Sequence, residues 1–341
     1  MGDVILVSPA LTALKERVDG AHITLLTRAP YADLHRNNPA CDEVWGYDPA
    51  LQNLRELRRQ VSESSFDFIV DLHGSLRSRL LTFALGIPVA RWKQPRWQRF
   101  WIVARPPLKQ KNQLTPVIEL YLQAVGGKAG SSHPGVSEPA ATVPVIHLNE
   151  EQRTAGERWR EKFTNGRPGE CIAILPGAKH PPKEWPLYRV RELAELLVSR
   201  GDIPVIIPPP DDPEPAFSLD HEVEGACICD PVPGIMELAG ILASCDGAVA
   251  NDSGPMHLAA AVATPTVGLF GPTSPALGFS PRGLYTAAIH RDLYCSPCSK
   301  HGQRVCWRRD RECLIDIGPR EVIDLLEDLM GEKQSQKTLD L

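Results

Sequence analysis

The sequence contains no run approaching the ~18 consecutive apolar residues that a membrane-spanning helix requires. Its first residues, Met1, Gly2 and Asp3, do not place a basic segment ahead of an apolar one, as a secretory signal peptide does. No G-x-G-x-x-G motif follows a predicted strand, which argues against a dinucleotide-dependent oxidoreductase. We therefore expect a cytoplasmic protein, and its 341 residues are a comfortable length for two domains.

The nine cysteines are an odd number, which does not suit a complete disulfide framework. Cys171, Cys227 and Cys229 lie in apolar, strand-like runs, as reduced core thiols do in cytoplasmic proteins. Four further cysteines are compatible with either a zinc site or packing thiols: Cys295, Cys298, Cys306 and Cys313. Only the first two have the C-x2-C spacing of an ordinary zinc site, and the other two are too far apart. The spacing favours packing thiols, and no metal site is predicted.

Charge is unevenly divided along the chain. Residues 1–130 carry 17 Lys or Arg against 12 Asp or Glu, whereas residues 131–341 carry 20 against 30. Between Leu72 and Ile118 there are nine basic residues and no acidic one. A local field of this sign attracts an anionic partner. The charge alone fits a nucleic acid as well as an anionic lipid.

Short apolar runs alternate with helical patterns in both halves of the chain. In the first half we predict apolar runs or strands at residues 4–6, 22–26, 44–47 and 66–72, with helices at 9–18, 51–61 and 76–85. In the second half we predict strands at 171–175, 204–207, 247–250 and 266–270, with helices at 187–200, from Pro255 onward, and at 319–330. This alternation predicts an α/β fold of two doubly wound domains, which bind ligands at the carboxyl edges of their sheets. A Gly- and Ser-rich break separates a domain at 1–126 from one at 149–341, with a linker at 127–148.

One segment has the features of an anion-binding helix start: Asn251, Asp252, Ser253, Gly254, Pro255, Met256 and His257. A predicted strand leads into it, and Pro255 suits the first helical position. Ser253 or Asp252 can cap the first amides, and Gly254 allows a ligand to approach the backbone. The remaining N–H groups and the helix dipole favour an anion, to which His257 can add a donor. Taken alone, the segment is equally well explained as an ordinary capped helix.

A second glycine-containing loop follows the predicted strand at residues 171–175. It contains Gly177, Lys179 and Lys183, and a lysine ammonium is a mobile point charge that suits a phosphate. Two such loops in one doubly wound domain predict a nucleoside diphosphate as the ligand. The acidic loop around Asp212 is either a contact to the ribose or a solvated turn.

The two loops, in this order, resemble the signatures of glycosyltransferase family nine, the lipopolysaccharide heptosyltransferases. The most specific segment covers residues 252–261 and is followed by residues 268–275. Other segments that are similar to family motifs are residues 2–6, the acceptor-domain motif at 71–79, the loop at 176–186 and the cysteine region at 295–313. The resemblance spans nearly the whole chain.

The resemblance implies a GT-B architecture, in which two Rossmann-like domains face a cleft. It implies an inverting, metal-independent glycosyltransferase without a cofactor, which moves heptose from ADP-heptose to a lipopolysaccharide core. Such a displacement needs a base for the acceptor hydroxyl and stabilisation of the departing diphosphate. By motif position Asp3 is the base, although the residues alone favour Asp3 as a cap of the following helix or of the turn before it. The predicted donor-binding residues are Gly177, Lys183, Asp212, Asp252, Ser253, Gly254, Pro255 and His257.

Cationic and aromatic residues are interleaved from Arg91 to Trp101. With the resemblance, we interpret this stretch as a face that docks on an anionic acceptor lipid at the inner membrane surface. The alternatives are a solvated helix with core tryptophans and a nucleic-acid site, and the resemblance favours the lipid. The predicted acceptor-binding residues are His73, Arg77, Arg79, Arg91 and Arg96. We expect a monomer without a nucleic-acid partner.

Two features depart from the family pattern. Three prolines, Pro208, Pro209 and Pro210, stand where family members usually carry a glycine pair. Because proline neither donates a backbone hydrogen bond nor adopts a positive φ, the nucleoside contacts at this loop are in question. The chain also starts at the Gly2-Asp3 turn, before which family members place a complete first strand. Either the given start is internal, or the sheet lacks a strand from its middle. We expect the former, so that an upstream extension supplying this strand would raise stability and activity.

Two other functions are compatible with parts of the sequence. A nucleotide-sugar epimerase would share the two-domain fold and the donor site but would not need the basic acceptor face. A non-catalytic nucleotide- or nucleic-acid-binding module would use the basic stretch and the cysteines. Turnover of a nucleotide sugar with inverting transfer to a lipid separates the transferase from both.

Overall fold

The computed structural model describes residues 1–51, 53–92, 94–104, 114–126 and 143–339. The chain divides into two compact units. The N-terminal unit comprises Asp3–Arg96 and Thr115–His147, and the C-terminal unit comprises Met1–Gly2, Trp97–Leu114 and Leu148–Leu341. Most of the predicted linker, residues 127–142, lies outside the described residues.

The N-terminal unit contains two separate pairs of parallel strands, β1 with β2 and β3 with β4. The strands are β1 (Thr24–Arg28), β2 (Glu43–Tyr47), β3 (Ile69–Asp71) and β4 (Val89–Arg91). The helices are α1 (Gly2–Ile5), α2 (Ser8–Arg17), α3 (Leu54–Glu63), α4 (Leu76–Thr82) and α6 (Val117–Ala124), with a 3₁₀ helix at Ala29–His35. One core cluster of this unit is small and consists of Tyr47, Leu57, Val61 and Leu81.

Two expectations for the N-terminal unit are wrong in detail. The apolar run at residues 4–6 belongs to α1 and the turn after it, and Ile5 and Leu6 are buried there. A short apolar run suits a buried helix as well as a strand, so its periodicity could not decide between them. The buried strand predicted at residues 66–72 is reduced to the three residues of β3, and Phe68, just before it, is 53% exposed.

The C-terminal unit is built on one six-stranded parallel sheet, in the order β10-β9-β8-β5-β6-β7. Its strands are β5 (Cys171–Leu175), β6 (Ile203–Ile206), β7 (Cys227–Ile228), β8 (Gly247–Asn251), β9 (Thr266–Phe270) and β10 (Thr286–His290). Its helices are α5 (Arg96–Ala104), α7 (Glu150–Thr164), α8 (Leu187–Ser199), α9 (Glu214–Phe217), α10 (Ile235–Ser244), α11 (Gly254–Ala261), α12 (Glu312–Ile315) and α13 (Pro319–Leu339). Only the first residue of α5, Arg96, belongs to the N-terminal unit. Short 3₁₀ helices lie at Pro181–Lys183, Ser218–His221 and Pro275–Leu277. The strand order is that of a dinucleotide-binding fold, and it reverses between β5 and β8.

The sheet is buried on both faces, as a parallel sheet covered by helices requires. Every residue of β5, β6, β8 and β9 is buried. Val190 and Leu193 of α8 pack with Val322 and Leu326 of α13 in the main core cluster. The predicted strands of this half are found within one residue of their predicted bounds, since continuous apolar runs bounded by Gly and Pro identify buried strands well.

Within the described ranges, no helix combines the length and the apolar character that crossing a bilayer demands.

Candidate donor and acceptor sites

The two predicted phosphate loops follow β5 and β8, which are neighbours in the sheet. Residues 176–186 leave the carboxyl end of β5, and Asp252 and Ser253 leave that of β8. The strand order reverses between these two strands, so the helices that follow them diverge and leave a crevice. Doubly wound sheets bind nucleotides at such a crevice.

Lys183 and Asp252 form a partly buried ion pair at this crevice. Lys183 Nζ lies 2.7 Å from Asp252 Oδ2, and the two side chains are 13% and 11% exposed. The Thr273 hydroxyl donates a hydrogen bond of 2.6 Å to the same carboxylate oxygen. Thr273 follows β9, so side chains from three adjacent strand ends meet at one oxygen. Lys179, from the same loop as Lys183, is exposed instead.

Asn251 joins the two loops, a role that the sequence-based site did not include. Its side-chain oxygen accepts a hydrogen bond of 3.0 Å from the Trp185 N–H, and its amide donates to the Pro176 carbonyl. Asn251 is 1% exposed, so these bonds are shielded from water. Asn251, Thr273 and Asp71 (below) lie in segments that the sequence singled out, but none of them was among the predicted site residues. Each lies at or just after the carboxyl end of a predicted strand, and that position was the available signal.

The start of α11 differs from the predicted cap. The helix begins at Gly254, one residue before Pro255, and the N-cap residue Ser253 makes no side-chain cap hydrogen bond. Asp252 cannot cap either, because its carboxylate is engaged by Lys183 and Thr273. Within the described part of the chain, the buried Ser253 hydroxyl has no hydrogen-bond partner. The helix start therefore retains donors that an anion can use.

His257 lies in the first half of α11 and is 5% exposed. A Cβ placed on Gly2 would meet the His257 ring at 3.0 Å, and one placed on Gly254 would meet the Met1 side chain at 2.8 Å. The open side that was predicted at Gly254 is thus occupied by Met1.

The proline run after β6 packs against the first phosphate loop. A Cβ on Gly177 would lie 2.4 Å from Cβ of Pro209, so this glycine is required for the two loops to approach. Asp212 is exposed and lies close enough to Glu184 to act on it. Burial raises the pKa of Glu184, the Asp212 charge raises it further, and the Ala178 N–H and Arg311 oppose the rise.

The acceptor motif of the N-terminal unit is organised by Asp71, which is 6% exposed at the end of β3. Its carboxylate accepts hydrogen bonds from the backbone N–H groups of His73 and Gly74, at 3.1 and 2.8 Å. It also accepts from the Ser78 hydroxyl at 3.0 Å, and Arg91 Nε lies 3.4 Å away. A buried carboxylate with these partners fixes the turn that presents the exposed side chains before α4.

The predicted acceptor residues lie around this turn. His73, Arg77 and Arg79 are exposed on it or on α4. Arg91 donates to the Thr82 hydroxyl at 2.6 Å, and Arg96 donates to the Gly74 carbonyl at 3.3 Å. The structure therefore brings all five together within one unit.

The aromatic residues of the basic stretch divide into two groups. Trp92 is buried at 9% exposure and packs edge-on against Tyr121. On α5, by contrast, Trp97 is 76% exposed, Phe100 43% and Trp101 41%. The alternative of core tryptophans is therefore confirmed for Trp92 and wrong for α5. Lys93 of this stretch lies outside the described residues.

The four C-terminal cysteines line one cavity together with Pro182 and Arg311. Burial, with smaller effects from the thiols of Cys298, Cys295 and Cys306, raises the pKa of Cys313 to about 12. None of the nine cysteines, all of which lie in the described ranges, forms a disulfide. Among the described side chains, no group of three or more His, Cys, Asp or Glu is arranged to hold a metal ion.

Asp3 is exposed in the first turn of α1, rather than at the end of a strand. It does not cap α2, whose N-cap position is Val7 and which has no side-chain cap hydrogen bond. The capping explanation of Asp3 for that helix is thus wrong.

The strand order and the paired α/β units define an α/β protein of the GT-B class. A solved glycosyltransferase of family 9 from Veillonella parvula superposes with a TM-score of 0.76 at 21% identity, over 97% of this chain and 94% of that one. The Escherichia coli ADP-heptose lipopolysaccharide heptosyltransferase II superposes with a TM-score of 0.71 at 22% identity, over 97% and 96%. These likenesses confirm the predicted GT-B fold.

The family model described as "Glycosyltransferase family 9 (heptosyltransferase)" matches residues 54–307, and the chain belongs to this family. Lipopolysaccharide heptosyltransferase 1 of Pseudomonas aeruginosa is 29% identical over 97% of this chain and 95% of the relative. Lipooligosaccharide heptosyltransferase 2 of Haemophilus ducreyi is 31% identical over 80% of each. The prediction of a heptosyltransferase-like glycosyltransferase is confirmed, and the family favours it over the epimerase and the non-catalytic module.

Proposed function

We propose that the protein transfers heptose from ADP-heptose to a lipopolysaccharide core acceptor, with inversion and without a metal ion. The observation that carries this proposal is the Lys183–Asp252 pair beside the uncapped start of α11 at the crevice. The names of its relatives as lipopolysaccharide and lipooligosaccharide heptosyltransferases support the sugar and the acceptor.

A bound diphosphate would replace Asp252 as the partner of the Lys183 ammonium. The ammonium now pairs with one carboxylate, and a diphosphate offers more negative charge within reach of a flexible lysine stem. The α11 amides and the Ser253 hydroxyl supply donors for the same group. Asp252 would then be free to contact the donor sugar, with Thr273 still holding its carboxylate. The remaining proposed donor contacts come from Gly177, Asp212, Gly254, Pro255 and His257.

The reaction is a single displacement at the anomeric carbon. The bond from the acceptor oxygen to that carbon forms while the bond to the phosphate oxygen breaks, and the acceptor proton passes to a base. We assign Asp3 as the base, and Lys183 as the group that stabilises the negative charge on the departing diphosphate. The acceptor contacts are assigned to His73, Arg77, Arg79, Arg91 and Arg96, in a cytoplasmic monomer that meets the inner membrane surface through α5.

The test compares two lysines of one loop. Purified protein is incubated with ADP-heptose and a Kdo–lipid A acceptor, and the product is followed by mass spectrometry, with and without EDTA. Lys183→Ala should lower kcat/KM by about 10²–10³, the usual loss when one donor to a developing negative charge is removed. Lys179→Ala, in the same loop but with an exposed side chain, should stay within about twofold of the parent, because an exposed ammonium contributes little in high-dielectric solvent.

Equal losses for the two lysine variants would remove Lys183 as the diphosphate ligand. Loss of activity in EDTA that is restored by a divalent metal would contradict the metal-independent route. Undiminished turnover in Asp3→Asn would remove Asp3 as the base, and retention of configuration in the product would exclude a single displacement.

A further inference from the structure

The segment between β10 and α12, residues 291–311, bears three of the C-terminal cysteines, and we call it the cysteine loop. It contains no helix or strand within its described residues, but it is hydrogen-bonded to the residues that follow β9. The Ser296 hydroxyl donates to the Gly271 carbonyl at 2.6 Å, and the N–H groups of Cys298 and Ser299 both donate to the Pro272 carbonyl at 3.0 Å. Since Thr273 comes next in the chain, the loop is anchored beside the carboxylate that holds Lys183.

The cysteine loop also contacts Lys183 directly. A Cβ built on Gly302 would lie 2.2 Å from Cδ of Lys183 and 2.3 Å from its Cγ. The lysine stem therefore runs across the bare backbone of Gly302, and no larger residue fits there unless the lysine moves. Gly302 is buried, has a φ of +82°, and donates its N–H to the Ser299 hydroxyl at 2.9 Å. The backbone of Gly302 beneath the lysine stem is therefore held in place by this hydrogen bond.

Arg311, at the end of the cysteine loop, holds the backbone of the same lysine turn. Its guanidinium donates to the Glu184 carbonyl at 3.0 Å and to the Pro181 carbonyl at 3.4 Å. These carbonyls flank Lys183 on either side in the chain. Trp185 adds a further tie, donating its indole N–H to the Leu314 carbonyl of α12 at 3.1 Å.

We propose that Gly302 and Arg311 are positioning residues that aim the Lys183 ammonium at the donor diphosphate. The lysine stem has four rotatable bonds, so an ammonium that is not confined spends most of its time elsewhere. Gly302 confines the stem and Arg311 confines the turn that carries it. The cysteine loop thereby belongs to the donor site, although none of its thiols needs to touch the ligand. This inference rests on the proposed function of Lys183.

The experiment measures ADP affinity by calorimetry, together with donor KM and kcat, for Gly302→Ala and Arg311→Ala. The control for the first is Gly166→Ala, because Gly166 has a similar positive φ of +74° but nothing within 4 Å of a Cβ. The control for the second is Arg309→Ala, an exposed arginine two residues away. We expect both loop variants to weaken ADP binding by about tenfold, as loss of one oriented charged contact does, and both controls to bind like the parent.

A double-mutant cycle separates positioning from general damage to the fold. If Gly302 acts through Lys183, Gly302→Ala in the Lys183→Ala background should change ADP affinity by less than about twofold. The same tenfold loss in both backgrounds, or an equal loss in Gly166→Ala, would overturn the proposal. A parent protein that binds ADP and transfers heptose, with Gly302→Ala and Arg311→Ala unchanged, would overturn it while leaving the proposed function intact. A parent that binds no ADP would overturn both.

Discussion

His35 is a fully buried residue whose neutral form fits its surroundings better than its charged form. It is 0% exposed, and its Nε2 lies 2.7 Å from the Val4 carbonyl, to which it donates. Its Nδ1 lies 3.2 Å from the Asn38 amide nitrogen, which can only donate. A ring with its hydrogen on Nε2 satisfies both contacts, whereas a protonated ring would place two donors against each other. Burial lowers the pKa of His35 and the nearby His147 lowers it further, while the hydrogen bond to the Val4 carbonyl opposes the fall.

This environment predicts a loss of stability in mild acid. Because the folded-state pKa is below the ordinary value of 6.5, the unfolded chain binds the proton first as the pH falls. The His35 contribution to the free energy of unfolding is therefore complete above 6.5 and declines below it. His35→Gln should flatten the pH dependence of urea unfolding between about pH 7 and pH 5, whereas His22→Gln at an exposed position should not. Parallel curves for His35→Gln and the parent would contradict this account.

At the scale of elements, α7 and α10 approach so closely that their backbones touch. A Cβ on Gly156 would lie 2.1 Å from the Gly240 carbonyl oxygen, and one on Gly240 would lie 2.4 Å from the Gln152 carbonyl oxygen. Gly156 is helical, so its conformation would tolerate alanine and only the contact forbids it. Gly156→Ala should therefore cost about 1–3 kcal/mol in the free energy of unfolding, as overpacking does.

The matched control lies on α13, where nothing stands within 4 Å of a Cβ on Gly331. Gly331→Ala should stabilise the protein by about 0.5–1 kcal/mol, because alanine is the better helix former. Both values come from urea unfolding monitored by circular dichroism. An equal gain from both substitutions would show that the α7–α10 contact relaxes freely.

The exposed aromatic face of α5 is the element that the membrane proposal depends on. Trp97 contacts Phe100, and Phe100 contacts both Trp101 and the Lys300 ammonium, so the rings form one cluster. Tryptophan beside cationic residues suits the interface of an anionic bilayer. The Trp97→Ser, Trp101→Ser double variant should lose about tenfold in affinity for phosphatidylglycerol vesicles. It removes most of the aromatic area that would become buried in the bilayer interface on binding.

Trp307→Ser provides the comparison for α5, because Trp307 is 67% exposed and packs on Tyr294 elsewhere in the same unit. Vesicle sedimentation should not distinguish it from the parent. Equal binding by all three proteins would remove α5 as the membrane contact.

Over the whole molecule, the strands and loops that depend on local sequence pattern were predicted correctly. The contacts between residues far apart in the chain were not predicted. Strands such as β5 and β9 were located because continuous apolar runs end at Gly or Pro. The two phosphate loops followed, because parallel strands end at one edge of a sheet. The Lys183–Asp252 pair and its Thr273 partner join residues far apart in sequence, and no periodicity encodes such pairing. The grouping of α5 with the C-terminal unit is likewise a matter of tertiary packing.

The division of charge between the two halves of the chain leads to a prediction about salt. The predicted acceptor residues Arg77 and Arg79 are exposed, whereas the Lys183 side chain is only 13% exposed. Salt screens exposed charges at a Debye length of about 10 Å in 0.1 M solution and screens buried ones much less. The apparent KM for the lipid acceptor should thus rise several-fold between about 50 and 300 mM NaCl, and the donor KM should rise less.

Arg79→Gln should make the acceptor KM less sensitive to salt. Arg320→Gln, at an exposed position on α13, should leave the salt dependence of the acceptor KM unchanged. Steady-state kinetics across this range would contradict the assignment of the acceptor face if both substrates showed the same slope.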